Sequence, residues 1–123
     1  MKKQESGQSL IEVLAAVAVV VLVILALITA TTISVRNTTF ASKQSLATQY
    51  AREAIEGVRA FRDGDPDAFF AGSCPLFEEI EGFTRTVTCD SNGVDRVRVI
   101  VIVTWVDAKG THESNLETYL TKW

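Results

Sequence analysis

The hydrophobic pattern of this chain changes character twice. From Val13 to Ile28 sixteen successive residues are apolar, and no charge falls between Glu12 and Arg36, a stretch of twenty-three residues with no proline or glycine inside it. Nothing in that stretch kinks or stops a helix. At a rise of about 1.5 Å per residue it extends about 35 Å, enough to cross a hydrocarbon core of roughly 30 Å. From Leu46 to Arg62 the pattern becomes periodic. Ala47, Tyr50, Ala51, Ala54, Ile55, Val58 and Phe61 follow steps of three and four and form one stripe able to lie on another element. Arg52, Glu56 and Arg59 occupy the opposite, solvated face. Asp63-Gly64-Asp65-Pro66 then supplies turn residues and a helix stop. A helix from about Ser9 to Arg62 would be on the order of 80 Å long, more than a membrane requires, so its outer half must emerge and support a domain.

Beyond that turn the period drops to two. Phe83 to Cys89 is rich in β-branched residues, Asp90-Ser91-Asn92-Gly93 reads as a turn, and Arg96 to Val106 places Val97, Val99, Val101, Val103 and Trp105 on one side. Ile100 and Ile102 are apolar as well, which predicts a central strand covered on both faces. After the turn at Asp107-Ala108-Lys109-Gly110, a last strand from His112 to Trp123 sets Leu116 and Leu120 on one side. The expected fold is α+β: a long N-terminal α-helix whose first half spans a membrane, with a small antiparallel β-sheet packed on its C-terminal half.

Composition adds bounds. The 123 residues are 47% apolar and 22% charged, and fewer than ninety remain from Arg36 onward, too few for a large enzyme with a deep cleft. That part carries ten Lys or Arg against thirteen Asp or Glu, a net charge of −3, so a polyanionic partner is disfavoured and no nucleic acid is expected. Arg85, Arg96 and Arg98 form the one basic strip worth weighing for DNA contact, and they lack the interleaved exposed aromatics of a single-strand binder. One His and two Cys leave little material for a metal centre or a triad. His112 reads as an ordinary strand residue, and Trp105 and Trp123 read as packing groups. Asp63, Asp65 and Asp67 fail as a calcium loop because Pro66 intervenes, Ala68 stands where glycine is required and Cys74 where a bidentate Glu is required. With no phosphate loop, catalytic dyad or nucleotide motif, the expectation is a protein without cofactor or metal that is not an enzyme.

Glu12 is the chemically informative residue. A carboxylate at the mouth of an apolar run is expensive to desolvate and normally has a partner. Ser9-Leu10-Ile11-Glu12 has the spacing of a capping box, which would satisfy orphan amides at a helix start. That pattern follows Met1-Lys2-Lys3-Gln4-Glu5-Ser6-Gly7, a short polar leader ending in glycine before Gln8. Lys2 and Lys3 orient an anchor with its N-terminus in the cytoplasm and the larger part outside. A removable secretory signal fits less well, since its apolar core is shorter and lacks an acidic residue at its mouth.

The N-terminus as a whole, Lys2-Lys3 followed by Gly7-Gln8-Ser9-Leu10-Ile11-Glu12-Val13-Leu14 and the apolar helix, resembles the class III leader of type IV prepilins and type II secretion pseudopilins. The resemblance covers roughly the first 40 residues by motif and the remainder by architecture. It implies processing at Gly7 and Gln8, with a prepilin peptidase cutting after Gly7 and methylating the new amine of Gln8, and it implies assembly through Glu12. The partners implied are that peptidase, other pilin or pseudopilin subunits, a membrane-embedded assembly platform and the lipid bilayer. The location implied is the cytoplasmic (inner) membrane, single-pass, and then an extracytoplasmic filament. The corresponding divisions are a leader at 1–7, an assembly helix at 8–35, its amphipathic continuation at 36–62 and a head at 63–123. Major pilins commonly carry a proline within the apolar helix, and its absence here points to a minor pilin or pseudopilin. Two other readings share the anchor: a non-assembling single-pass protein with an extracytoplasmic binding domain, and an adhesin or DNA-uptake pilin.

Cys74 and Cys89 enclose a loop of about sixteen residues, for which a disulfide contributes about 3 kcal/mol in the loop-entropy model. An exported position favours that bond over two buried thiols.

Overall fold

A computed structural model describes residues 5–93 and 95–122 and contains two helices and one sheet. Helix α1 runs Glu5–Gly64, α2 is the short Pro66–Phe70, and the strands are β1 Thr84–Ser91, β2 Arg96–Asp107 and β3 Gly110–Thr121. The sheet is antiparallel throughout, in the order β1-β2-β3. The fold is therefore α+β as the periodicities require, with the sheet packed on the C-terminal half of α1. By its contacts the chain divides after Phe40 into two units.

The N-terminal unit is helix alone. Its large apolar residues, from Leu10 to Val35, are each about half to two thirds exposed, with Ile11 at 70%. A helix apolar all round belongs in lipid or among other helices. Its threonines are also self-contained. The hydroxyl of Thr29 donates to the Ala26 carbonyl at 2.8 Å and that of Thr32 to Ile28 at 2.8 Å, while Thr31 donates to Leu27. Thr38 and Thr39 do the same to Ser34 and Val35, at 2.9 and 3.0 Å. Each of these hydroxyls finds its acceptor one turn back, which removes the penalty of an unsatisfied hydroxyl in an apolar medium.

The second unit is built on the alanine stripe. Ala47, Ala51, Ala54 and Val58 are completely buried, as are Val97, Val99, Val101 and Val103, with Trp105 at 2%. Small residues on the helix allow its backbone to come close to the sheet, and each fully buried valine contributes about 1.5 to 3 kcal/mol. Aromatic rings close the two ends of this core. At one end Phe83 stands edge-on to Tyr50 at 5.2 Å and lies 6.2 Å from Trp105. At the other, Phe69 is edge-on to Phe61 at 6.4 Å and to Phe70 at 5.2 Å.

Five expectations need correction. The described part of helix α1 already includes Glu5, so Ser9 lies inside the helix and does not cap its start; the capping box is not formed. Strand β2 is central but covered on one face only. Ile100 and Ile102 are half-buried, shielded by their register neighbours Thr88 and Glu117, and Thr86 and Asn115, rather than by a second layer. Asp90 and Ser91 extend β1 instead of opening the turn. The stop at Asp63–Pro66 also starts another helix: Asp65 Oδ1 accepts from the Ala68 amide at 3.1 Å, Pro66 occupies the first turn, and Phe69 is carried into the core at full burial. The strand expected to reach Trp123 ends at Thr121, and Trp123 lies outside the described residues.

Candidate processing and assembly surface

Gly7, Gln8 and Glu12 all lie in the first turns of α1, and Gln8 and Glu12 are exposed. Lys2 and Lys3 lie outside the described residues. A side chain added at Gly7 would meet no atom within 4 Å, and Gly7 is not among the glycines of positive φ. Glycine in a helix interior costs about 1 kcal/mol relative to alanine, so the chain carries here a residue that its own folding does not need. Glu12 lies five positions beyond Gly7, and among the described residues it has no hydrogen bond and no ion pair. Its neighbours Leu10, Ile11, Val13 and Leu14 are all exposed apolar groups. The helix is long and apolar enough to cross a membrane, which is the property expected of an anchored protein.

In the second unit Cys74 and Cys89 form a disulfide with Cα atoms 5.6 Å apart, tying the connection after α2 to β1. The connection is held at other points too. Arg85 Nη2 donates to the Glu78 carbonyl at 3.2 Å, and its guanidinium lies 4.8 Å from the centre of the Phe77 ring. Phe77 in turn lies against Gly57, where an added Cβ would stand 2.6 Å from the ring. Arg85 Nη1 faces Glu53 at 3.6 Å, and the arginine side chain is only 5% exposed. Sequence reading missed this cluster, although Arg85 shares its side of the strand with Val87 and Cys89, the alternation that identifies an inward position.

The arginine strip does not form. Arg85 faces the helix, whereas Arg96 and Arg98 lie on the opposite side of the sheet. Arg98 is engaged by Asp90 at 3.3 Å and Glu117 at 3.9 Å, and these carboxylates hold its pKa above the ordinary value. His112 lies on β3, with Nε2 2.9 Å from Asp107 Oδ1 and its ring stacked on Trp105 at 5.6 Å. Asp107 also accepts from the Lys109 amide at 2.7 Å. That amide first, and His112 second, lower the Asp107 pKa from its ordinary value. The pair closes the β2–β3 turn and keeps His112 in a packing role. Among the described residues no group of three or more His, Cys, Asp or Glu side chains converges as a metal site would require.

Compared with family models, with curated proteins and with solved structures, the chain matches none.

Proposed function

We propose that this protein is a structural subunit of a type IV pilus-like filament or a type II secretion pseudopilus. It is held in the membrane as a precursor, cut after Gly7 and methylated at Gln8, and assembled through its apolar helix and Glu12. The observation that carries this reading is the solitary carboxylate. Glu12 sits among exposed apolar side chains, with no partner among the described residues of its own chain. Cleavage after Gly7 would create a cationic amine on each copy, and the amine of one copy meeting Glu12 of the next neutralises both charges where water is scarce. Methylation leaves an amine that still takes a proton, so the pair survives it. Removing one partner of such a buried pair costs about 3 to 5 kcal/mol.

Gly7 supports the same reading. The bond after it lies inside the first turns of α1, and a peptidase needs it extended. Glycine weakens that helix end by about 1 kcal/mol and lets catalytic groups approach the backbone. Packing of the helix exchanges lipid contacts for protein contacts of similar strength, so shape and the ion pair supply the specificity.

The test is the mass of the N-terminal peptide from filaments sheared off cells that export the protein. A methylated Gln8 start is the expected result, together with loss of filaments in Glu12→Gln. Residues 1–7 retained in finished filaments, or parent-level assembly of Glu12→Gln, overturns the reading.

A further inference from the structure

The segment between α2 and β1 presents an unusual surface. Leu76 is 99% exposed, and Glu78, Glu79 and Glu81 around it are exposed as well. None of the three carboxylates has a cation partner among the described residues. This segment is nevertheless fixed. The disulfide anchors it at Cys74, the Glu78 carbonyl is held by Arg85, Phe77 is wedged between that guanidinium and Gly57, and the Phe83 amide donates to the Ile80 carbonyl at 3.1 Å. With the backbone around it already fixed, the leucine pays only side-chain ordering when it is covered, which favours docking.

At the other edge of the sheet a groove runs between α1 and β3. Its floor includes Ile55 and Leu116, and Arg52, Arg59, Glu56 and Glu117 border it. Both acids there are already occupied, Glu56 by Arg59 at 2.8 Å and Glu117 by Arg98 at 3.9 Å. Arg52 is left as an exposed cation with no ion pair among the described residues.

We infer that these two surfaces dock onto each other between successive copies of this chain: Leu76 covers the Ile55 and Leu116 floor, and the carboxylates of Glu78 and Glu79 meet Arg52. The charges match, and so does the topology. The acidic segment is tied to β1 and the groove borders β3, at opposite edges of a sheet ordered β1-β2-β3. No copy can satisfy its own groove, and a contact between two different surfaces is heterologous, so it repeats from copy to copy instead of closing on itself as a two-fold pair does. The inference rests on the proposed filament reading and adds a second contact, between head domains, to the one at Glu12.

The test uses the full chain in exporting cells. A benzophenone amino acid placed at Leu76 should, on irradiation of sheared filaments, yield adducts between copies that map to 52–59 or 116–118. Arg52→Glu alone and Glu79→Arg alone should each lower filament yield about tenfold, and the double exchange should recover most of it. Membrane levels and an intact disulfide in each variant show that the head is folded. Filaments that form while adducts map elsewhere or are absent, or a double exchange no better than the singles, overturn the docking contact and leave the filament reading standing. A parent chain that makes no filaments in such cells overturns both.

Discussion

Two stretches of the same helix behave in opposite ways. Val13 to Val35 and Leu46 to Arg62 are both rich in Ala, Val, Ile and Leu, yet large side chains in the first are about half to two thirds exposed, with Leu22 at 66%, while Ala47, Ala51, Ala54 and Val58 in the second are buried completely. What separates them is arrangement. The first is apolar on every side and has no polar face to turn toward water; the second has a stripe the width of one sheet. A stripe is completed by the chain itself, and an unbroken apolar surface is completed by whatever surrounds it. Folding energy therefore resides in residues 41–123, and the N-terminal stretch contributes only when lipid or neighbouring copies cover it.

The sharpest way to break this comparison is to truncate one large residue from each side. Trp105→Ala should cost the second unit about 3 to 5 kcal/mol, whereas Leu22→Ala in detergent should move its urea midpoint by no more than the equivalent of about 0.5 kcal/mol. Equal shifts would mean that the stretches share one cooperative structure. Next comes Cys74→Ser, which frees the segment before β1. A loss of about 3 kcal/mol is expected, read in the same urea titration, with limited proteolysis newly cutting between 71 and 83. Gly57→Ala sets two effects against each other. The helix gains about 1 kcal/mol of propensity, but the new methyl stands 2.6 Å from Phe77, and displacing a wedged ring costs about 1 to 3 kcal/mol. A net loss of about 1 kcal/mol follows; a gain in stability would show that Phe77 swings away freely.

The smallest effect is pH-dependent and confined to the head. The folded pKa of Asp107 is lowered by the Lys109 amide and His112, so the stabilisation it supplies is complete above the ordinary Asp range near pH 4 and is lost as pH falls through the lowered folded value. Unfolding of Asp107→Asn followed between about pH 5 and pH 2 should show a shallower loss of stability than the parent. An unchanged slope would remove the Asp107 contribution.

The features legible in sequence are those in which one periodicity meets one environment. The helix stripe from Ala47 to Phe61, the inward side of β2 and the pairing of Cys74 with Cys89 are of this kind. Errors arose where a residue answers to two roles. Asp65 and Pro66 both stop α1 and start α2, so the turn concealed Phe69. Arg85 is charged, and charge outweighed the alternation that places it beside Val87 and Cys89; its burial depends on Glu53 and Phe77, which lie 32 and 8 residues away in sequence. Ile100 and Ile102 are apolar for strand packing with lateral neighbours, a use that composition alone does not separate from a second buried layer. At the N-terminus the geometry adds to the order Gly7, Gln8, Glu12 that Glu12 has no partner among the described residues and that Gly7 is sterically unconstrained.

The five threonines of the N-terminal unit turn their hydroxyls back onto the α1 backbone, and this has a mechanical corollary. Where its threonines are spoken for internally, the rod offers neighbours a surface with few directional bonds, so it can rotate about its long axis or slip along it with little resistance. Registry between such a rod and whatever packs along it has to come from sparse, discrete stops.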